Sequence, residues 1–512
     1  MPTSNSYNAA ADLLQRNLQG ARSNKIAYVD DQGSYTYGEL ADRAGRFAHA
    51  LTRLGVAQEQ RILLALNDSI DFPTAFLGAI QIGVIPVCVN TLLTTQDYGY
   101  MLQDSRAQAL IVSEPLLPTF ATILNKGMPH LKRVIVSGNP GAGQIALSRL
   151  LAESDSKTSF APTTADDMCF WLYSSGSTGA PKGAVHAHSS LIQTAELYGK
   201  PILGIREDDV VFSAAKLYFA YGLGNALSFP MSVGATTILM AERPTPAAVF
   251  DRLMKHQPTI FYGVPTLYAA LLASPELPRA EAVNLRRCTS AGEALPKDLG
   301  ERWQRHFGVD ILDGIGSTEM LHIYLSNYPD NLRYGTTGKV VPGYEVRVVD
   351  EQGNSVKPGE VGDLQVKGPT RAIFYWNNRE RSQQTFAGEW TKSGDKYRQD
   401  EQGYYAYCGR SDDMLKVSGQ YVSPVEVEAA LVTHEAVLEA AVVGKADDDE
   451  LIKPKAFVVL RSGIKADDQL VDALKQHVKG KLAPFKYPRW IEFIAELPKT
   501  ATGKIQRFKL RA

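Results

Sequence analysis

The chain has 512 residues and a mass of 56.0 kDa, which is too long for one ordinary core, so at least two domains are expected. Lys plus Arg number 54 against 55 for Asp plus Glu, and a net charge near zero excludes a general attraction to nucleic acid or to an acidic membrane. Four widely separated cysteines without a CxxC pair exclude a disulfide scaffold and a structural zinc site, so we expect reduced thiols: Cys88, Cys169, Cys288 and Cys408.

The N-terminal sequence MPTSNSYNAAADLL has no basic start followed by an apolar stretch, so we expect no secretory signal. Residues 72–89 form the most membrane-like window, but Pro73, Gln81 and Pro86 make it a poor spanning helix. The window instead predicts a buried helix to about Gly83 followed by a core strand. These features favour a cytoplasmic protein with no membrane partner.

Short β-branched segments alternate with amphipathic segments through most of the chain. Three of the former predict strands, at Arg61–Ala65, Ala109–Ser113 and Arg133–Ser137. Residues 76–82 and 95–104 predict helices between them. The alternation indicates layered α/β subdomains with largely parallel sheets.

Later segments predict a change of architecture. Residues 344–350 and 362–367 predict strands joined by the turn-rich EQGNSVKPGE, which is typical of a β subdomain with a hairpin. From about residue 412 a small α+β unit is predicted, with helices at Pro424–Val432 and 469–479 and strands at 437–443 and 456–460. Ser423 is the expected helix cap. We therefore predict an N-terminal domain at 1–411 and a C-terminal domain at 412–512.

The segment YSSGSTGAPKG, residues 173–183, follows a strand predicted at 168–173. Glycines let backbone N–H groups turn toward a polyphosphate, hydroxyls add donors, and a lysine adds charge. A P-loop is excluded because Pro181 and Gly183 stand where glycine and Ser/Thr are required. The alternative is a flexible surface linker. The candidate phosphate-binding residues are Ser174, Ser175, Gly176, Ser177, Thr178, Gly179 and Lys182.

This segment resembles the signature loop of the adenylate-forming superfamily, which includes acyl- and aryl-CoA synthetases, luciferases and peptide-synthetase adenylation domains. Further motifs of that family follow in order to residue 507, so the resemblance covers nearly the whole chain. It implies a large N-terminal α/β domain with a β subdomain, and a small, mobile α+β C-terminal catalytic domain on a hinge. It also implies that ATP, Mg²⁺ and coenzyme A are used.

Two central motifs match the family's nucleotide site. The resemblance implies that SAGE, at residues 290–293, lies along the adenine through Ala291, Gly292 and Glu293. It implies that Thr318 contacts phosphate and that Glu319 holds Mg²⁺, and a hard cation does prefer carboxylate oxygen. The other nucleotide-binding residues in this second motif are Asp313, Gly314, Ile315, Gly316 and Ser317.

Motifs nearer the C-terminus complete the resemblance. Asp395, in Ser-Gly-Asp where the family has Thr-Gly-Asp, is expected to bind the ribose, and Arg410 to face ribose or phosphate. Asp412 is the expected hinge, and Lys504, within Thr-Gly-Lys, is the expected catalytic lysine. The expected loop on the coenzyme A side contains Lys416, Ser418 and Gly419.

The resemblance implies that residues 216–224 and 320–324 form part of the acyl pocket, and the stretches KLYFAYGLGN and STEMLHIYLSN, which include them, resemble those of bacterial benzoate-CoA ligases. Aromatic and small residues together suit a flat ring. The predicted pocket residues are Phe219, Ala220, Tyr221, Gly222, Ala291, Gly316, Leu321, His322 and Ile323. Because His322 can hydrogen-bond a ring hydroxyl, 4-hydroxybenzoate and 2-aminobenzoate stay open beside benzoate. Plain core packing is the alternative for Tyr221 and His322.

The resemblance predicts activation of benzoate to an acyl-AMP and its transfer to coenzyme A. A stand-alone adenylation enzyme that loads a carrier protein, a noncatalytic nucleotide sensor and a luciferase-like oxygenase are alternatives. The chain ends eight residues after Lys504, from which we expect no fused carrier domain. The resemblance leaves monomer and homodimer open. It also makes Lys504 a candidate for a lysine acetyltransferase, since acetylation would neutralise its charge.

Overall fold

The computed structural model describes residues 6–174, 180–417, 420–447, 451–499 and 505–511. Its internal contacts divide the chain into two compact units. The first comprises Met1–Tyr334, Gly338–Glu345 and Lys367–Thr391, and the second Gly335–Thr337, Val346–Val366 and Lys392–Ala512. Each unit is therefore described by itself.

The α-helices are, in chain order, α1 Ala9–Gln15, α2 Tyr37–Arg53, α3 Asp71–Gln81, α4 Thr95–Ser105, α5 Leu117–Lys126, α6 Leu147–Ala152, α7 His188–Thr194, α8 Ala220–Leu223, α9 Phe229–Val233, α10 Pro246–His256, α11 Pro265–Ala273, α12 Lys297–Phe307, α13 Arg379–Thr385, α14 Pro424–Val432 and α15 Asp468–Lys481. Two π-helical segments, Ala195–Leu203 and Gly224–Ser228, follow α7 and α8. Among the described helices, none is both long and apolar enough to cross a membrane.

The strands are β1 Ile26–Asp30, β2 Gly33–Thr36, β3 Arg61–Ala65, β4 Ile85–Cys88, β5 Ala109–Ser113, β6 Arg133–Ser137, β7 Ile145–Ala146, β8 Met168–Ser174, β9 Lys182–Ala187, β10 Val210–Ser213, β11 Thr236–Ile238, β12 Ile260–Gly263, β13 Arg287–Ser290, β14 Ile311–Gly316, β15 Ile323–Ser326, β16 Lys339–Val340, β17 Glu345–Val349, β18 Val361–Lys367, β19 Phe374–Tyr375, β20 Phe386–Ala387, β21 Trp390–Gln399, β22 Tyr405–Arg410, β23 Leu415–Val417, β24 Gln420–Val422, β25 Val437–Ala446, β26 Ile452–Leu460 and β27 Trp490–Phe493.

Two large sheets form the first unit. One has the order β19-β9-β8-β4-β3-β5-β6-β7, and the other β16-β15-β14-β13-β12-β10-β11-β1-β2. Their central strands are parallel and buried, as in β5, where every residue of ALIVS is buried. Strands covered on both faces are expected to read as such continuous apolar runs. The predicted α/β layering with largely parallel sheets is therefore confirmed.

The second unit combines β-sheets with two helices. Strands β17, β18, β21 and β22 pair in one sheet, β23 pairs with β24, and β25, β26 and β27 form another sheet. Helices α14 and α15 pack on that last sheet through an apolar core that includes Leu431 and Leu474. Ser423 caps α14 as predicted, since its side chain accepts a hydrogen bond from the N–H of Glu426 at 3.1 Å.

The predicted helix at 76–82 begins earlier than expected, because α3 starts at Asp71 and carries Pro73 in its first turn. Proline is tolerated there, since the first helical N–H groups have no partner within the helix. The buried helix and the following core strand, β4, are confirmed. All four cysteines are buried free thiols, as predicted.

Candidate active site

The glycine-rich segment is held by a β-hairpin in the first unit. Strands β8 and β9 are antiparallel, and their register pairs Ser174 with Lys182 at the end where the loop begins and returns. Lys182 is half-buried. Five predicted phosphate-binding residues lie outside the described part of the chain: Ser175, Gly176, Ser177, Thr178 and Gly179. The hairpin therefore places both described ends of this loop, Ser174 and Lys182, beside each other.

The turn between β14 and β15 carries Thr318 and Glu319. Three consecutive backbone carbonyls of this turn are hydrogen-bonded by groups from distant parts of the sequence. His186 Nε2 lies 2.9 Å from the carbonyl oxygen of Thr318, and the N–H of Ala372 donates to that of Glu319 at 2.7 Å. The hydroxyl of Thr370 donates to the carbonyl of Met320 at 2.7 Å. This turn is therefore fixed by contacts along its whole length.

The Glu319 side chain is half-buried and meets Tyr375, whose hydroxyl donates to Oε1 at 2.7 Å. The Lys182 ammonium lies 4.7 Å from the centre of the same tyrosine ring. Burial, and then the neighbouring Glu319, raise the pKa of Tyr375, so the phenol stays a donor. Tyr375 thus touches two residues that the sequence assigns to ATP and Mg²⁺.

His186, on β9, is buried and stacks on Phe170 with ring centres 5.2 Å apart. Burial lowers its pKa to about 4, so the imidazole is neutral near pH 7. Since Nε2 faces the carbonyl oxygen of Thr318, the tautomer that carries the Nε2 proton satisfies this contact. His186 therefore fixes the start of the Thr318–Met320 turn without adding charge.

The predicted adenine segment follows β13. The parallel register of β13 and β14 pairs Ser290 with Asp313, so the two nucleotide motifs begin side by side. Ala291 is buried, and Gly292 has φ of +93°, a backbone conformation that glycine adopts readily. Glu293 is half-buried. Small residues in this turn leave room for a flat ring close to the backbone.

Asp313 is a buried carboxylate. Its Oδ1 has no hydrogen-bond partner among the residues that the structure describes. Burial raises the pKa of this carboxyl well above its usual value. A buried polar atom without a partner is costly. Asp313 therefore has one carboxyl oxygen that can hydrogen-bond a polar group of a ligand.

The predicted acyl pocket converges on His322. Its imidazole lies beside three aromatic rings, with centres 5.5 Å from Tyr198, 5.6 Å from Tyr221 and 4.5 Å from Phe229. Nε2 lies 3.2 Å from Asn225 Oδ1 and 3.3 Å from the carbonyl oxygen of Tyr221. Because both partners are acceptors, Nε2 carries the proton. Burial lowers the pKa of His322 to about 3, so the ring is neutral.

Tyr221 joins the acyl and adenine segments, since its hydroxyl lies 2.5 Å from Thr289 Oγ1 on β13. Phe219 and Ala220 lie at the start of α8 and are half-buried, and Gly222 is buried within that helix. A Cβ on Gly222 would meet the carbonyl oxygen of Lys216 at 2.0 Å, so glycine is required by packing. The first half of the predicted pocket is therefore built around a small, crowded helix.

The turn residues complete this part of the site. Leu321 has φ of +64°, which is uncommon for a residue with a side chain and directs the chain into His322 and Ile323. A Cβ on Gly316 would lie 2.4 Å from the carbonyl oxygen of His322, so this glycine permits the close return of the chain. Gly314, Ile315 and Ser317 lie on the same strand and turn. The adenine and acyl motifs thus follow strands of one sheet, and His186 and Tyr375 connect the Thr318–Met320 turn to the glycine-rich hairpin of the other sheet.

The second unit holds the remaining predicted residues. Asp395 and Arg410 are register partners on β21 and β22, and Arg410 Nη1 donates to Asp395 Oδ1 at 3.0 Å. Asp412 is exposed, and its carbonyl accepts a hydrogen bond from Arg511 at 3.3 Å. Lys416 lies on β23. Ser418, Gly419 and Lys504 lie outside the described residues.

The described residues contain no group of three or more His, Cys, Asp or Glu side chains arranged to hold a metal. A single carboxylate is enough for an Mg²⁺ ion that is shared with a nucleotide, because Mg²⁺ is commonly bound by one or two carboxylates together with substrate phosphates and water. Glu319 supplies such a carboxylate, already held through one oxygen by Tyr375.

Sequence reasoning missed four residues that shape this site: His186, Tyr375, Thr289 and Asn225. Thr289 was adjacent to a recognised motif, and polar Asn225 within an apolar segment was a weak signal. His186 and Tyr375 gave no signal, because they contact the Thr318–Met320 turn from the other sheet, through side chains of segments that are distant in the sequence.

Comparison with known proteins gives two family matches. The model described as AMP-binding enzyme matches residues 14–376, and the AMP-binding enzyme C-terminal domain matches residues 426–504. The "Benzoate--CoA ligase" of Thauera aromatica is 63% identical over 508 residues, covering 99% of this chain and 96% of that protein.

Two further relatives agree over similar lengths. The "4-hydroxybenzoate--CoA/benzoate--CoA ligase" of Rhodopseudomonas palustris is 51% identical, with 99% of this chain and 94% of that protein covered. A crystal structure of a benzoate CoA ligase from Burkholderia xenovorans LB400 superposes with a TM-score of 0.92 at 57% identity, covering 99% of this chain and 100% of that one. The fold predicted from the sequence motifs is therefore confirmed.

Proposed function

Because the chain belongs to the AMP-binding enzyme family, we propose that it joins benzoate to coenzyme A through a benzoyl-AMP intermediate, with ATP and Mg²⁺. The observation that supports this best is the 63% identity, over almost the whole chain, to a protein named benzoate–CoA ligase. The aromatic surroundings and neutral imidazole of the acyl segments agree with an uncharged, flat ring.

The reaction has two balanced steps. A carboxylate oxygen of benzoate attacks the α-phosphorus of ATP, the bond to the β-phosphate oxygen breaks, and pyrophosphate leaves. The coenzyme A thiolate then attacks the acyl carbon, the bond to the AMP oxygen breaks, and AMP leaves as the thioester forms. Adenylation is needed because a free carboxylate is a poor electrophile.

The residues of the chain divide this work. The backbone and hydroxyls of the glycine-rich loop and Lys182 would hold the polyphosphate, and the segment from Ala291 to Glu293 the adenine. When bound, Mg²⁺ held by Glu319 would offset charge on the ATP oxygens. Thr318 would contact phosphate. Asp395 and Arg410 would bind the ribose and phosphate region.

Lys504 would supply the positive charge at the reacting phosphorus in the first step. We further propose that residues 412–512 rotate about Asp412 between the two steps, so that Lys504 withdraws and the loop with Lys416, Ser418 and Gly419 faces coenzyme A. A hinge of this kind absorbs dihedral change at a few residues, which an exposed junction residue allows.

Two finer proposals concern partners. Acetylation of Lys504 by a lysine acetyltransferase would stop adenylation, because it removes the charge that the first step requires. A homodimer is proposed as the assembly, which sedimentation of the purified chain would check. Incubation of the purified chain with a lysine acetyltransferase and an acetyl donor, followed by mass spectrometry of the peptide that contains Lys504, would check the modification.

The function is tested with a panel of carboxylic acids, ATP, Mg²⁺ and coenzyme A, scored for AMP and thioester. Benzoate should give the highest specificity constant, with 4-hydroxybenzoate and 2-aminobenzoate as the diagnostic comparisons. A preference for the hydroxylated acid would overturn the choice of benzoate. Release of AMP without thioester would instead favour the loading of a carrier protein.

A further inference from the structure

Tyr375 contacts the two groups that the first half-reaction uses to handle phosphate and metal. Its hydroxyl donates to Glu319 Oε1 at 2.7 Å, and its ring centre lies 4.7 Å from Lys182 Nζ. We propose that Tyr375 is a positioning residue for adenylation, which orients the Glu319 carboxylate for Mg²⁺ and the Lys182 ammonium for phosphate. This inference rests on the proposed function.

Strand pairing explains how Tyr375 reaches Lys182. Strand β19 runs antiparallel to β9, with Tyr375 opposite Ala184, which is two residues from Lys182 on the same face of β9. The N–H of Trp376 donates to the carbonyl of Gly183 at 2.8 Å and keeps this register. The ring therefore lies over the lysine at a fixed position relative to the glycine-rich hairpin.

Tyr375 is itself rigid. It is 3% exposed, and its ring packs on Phe386 with centres 5.1 Å apart. Its N–H donates to the hydroxyl of Ser382, in the middle of α13, at 3.0 Å. Because the Tyr375 side chain is already ordered, it can restrain the Glu319 carboxylate without a further loss of conformational entropy when Mg²⁺ and ATP bind.

The backbone at Glu319 is fixed independently of Tyr375, by the contacts at Thr318, Glu319 and Met320 described above. What the backbone leaves undetermined is the rotamer of the Glu319 side chain, and the Tyr375 hydroxyl determines it by holding Oε1. A carboxylate has a second oxygen, which suits the single-oxygen coordination that Mg²⁺ commonly accepts. Hydrogen-bond partners of metal ligands commonly change metal affinity when removed.

The test variant is Tyr375→Phe, which keeps the ring over Lys182 and removes the hydroxyl. Tyr328→Phe is the matched control, because it removes a half-buried phenol that donates to the carbonyl of Val340 at the same 2.7 Å in the same unit. For Tyr375→Phe, the free Mg²⁺ that gives half-maximal benzoate-dependent pyrophosphate release should rise about 10- to 100-fold. The KM for benzoate and the transfer from supplied benzoyl-AMP to coenzyme A should stay within about twofold.

Metal binding is also measured without turnover. The enzyme, saturated with a non-hydrolysable ATP analogue, is titrated with Mn²⁺ and free Mn²⁺ is followed by electron paramagnetic resonance. Tyr375→Phe should weaken Mn²⁺ binding about 10- to 100-fold, and Tyr328→Phe should leave it unchanged. Wild-type Mn²⁺ affinity in Tyr375→Phe, or equal loss of both half-reactions, would overturn the inference.

A second variant, Glu319→Asp, tests the same contact if Tyr375→Phe folds poorly. Glu319→Asp keeps the charge but shortens the side chain away from the phenol, and should weaken Mn²⁺ binding by a similar factor. Adding Tyr375→Phe to it should then cost little more, since the contact is already lost. Additive losses would contradict the inference. Failure of the wild-type enzyme to release pyrophosphate with any aromatic acid would instead overturn the proposed function.

Discussion

At the scale of single residues, Gly224 controls the position of the His322 imidazole. A Cβ on Gly224 would lie 2.3 Å from His322 Cδ2, and Phe229 packs against the same ring at 4.5 Å. Overpacking of this kind costs about 1–3 kcal/mol, and about 1.4 kcal/mol corresponds to a tenfold change in binding. We expect Gly224→Ala to raise the KM for benzoate about tenfold while the KM for ATP stays within about twofold.

The control for this prediction is Gly33→Ala, because a Cβ there meets nothing within 4 Å. Initial rates at varied benzoate and varied ATP separate the two constants. An unchanged KM for benzoate in Gly224→Ala would show that His322 does not border the acyl site. An equal rise in both constants would indicate general distortion of the first unit.

His188 makes stability depend on pH. Its Nδ1 accepts a hydrogen bond from the N–H of Ala9 at 3.1 Å, and burial lowers its pKa from 6.5 to about 4. Between about pH 6.5 and pH 4 His188 is protonated in the unfolded chain but neutral in the folded chain. The free energy of unfolding therefore decreases as the pH falls from about 6.5 toward 4. At pH 5 this costs about 2 kcal/mol.

His188→Asn keeps an oxygen that can accept from Ala9 but cannot take up a proton in this range. The variant should be less stable than the wild type at pH 7, and the difference should shrink by about 2 kcal/mol at pH 5. Urea unfolding at the two pH values measures it. His130→Asn, at an exposed position, is the control, and a constant difference between His188→Asn and wild type would contradict the prediction.

At the scale of elements, Arg507 ties the C-terminal segment to α14 and β25. Its guanidinium makes three hydrogen bonds to Glu428, one from Nε at 3.0 Å and two from Nη2 at 2.9 and 2.7 Å, and Glu428 also accepts from the N–H of Val442 at 2.7 Å. Glu428 is 8% exposed. Removal of one partner of a buried ion pair leaves an uncompensated charge and costs about 3–5 kcal/mol.

Arg507→Met should therefore lower the free energy of opening of β25 by about 3–5 kcal/mol, measured by hydrogen exchange at Val442. Adding Glu428→Met should recover most of the loss, because no charge then stays buried. Arg511→Met is the control, since Arg511 pairs with Asp413 at a more exposed position and should cost no more than about 1 kcal/mol. A similar loss in both single variants would contradict this account.

How much of the fold the sequence predicts depends on how local the determining interactions are. Strands β3, β5 and β6 were predicted at their observed bounds, since short apolar runs specify them. The start of α3 was missed because Ile70 makes no side-chain cap, so the local cap signal is absent. Tyr375 and His186 could not be predicted, because packing between two different sheets brings them to the Glu319 turn from distant positions in the sequence.

At the scale of the whole molecule, one chain carries out two reactions with different electrostatic needs. Charge accumulates at phosphorus during adenylation, whereas thioester formation needs a thiolate at the acyl carbon. Residues next to the predicted catalytic loop are anchored, as Lys499 pairs with Glu439 at 2.6 Å and forms a β-bridge with Ile505. Lys504 itself lies outside the described residues, so its role stays a prediction.

Lys504→Ala should separate the two steps. Loss of one charged contact to the transition state typically costs about 10²- to 10³-fold in rate, so benzoyl-AMP formation should fall by that factor. Transfer from supplied benzoyl-AMP to coenzyme A should persist, because the lysine would be withdrawn in that step. Lys499→Ala, which removes a neighbouring charge, should leave both rates within about threefold, and equal loss of both half-reactions in Lys504→Ala would refute the assignment of one cation to one step.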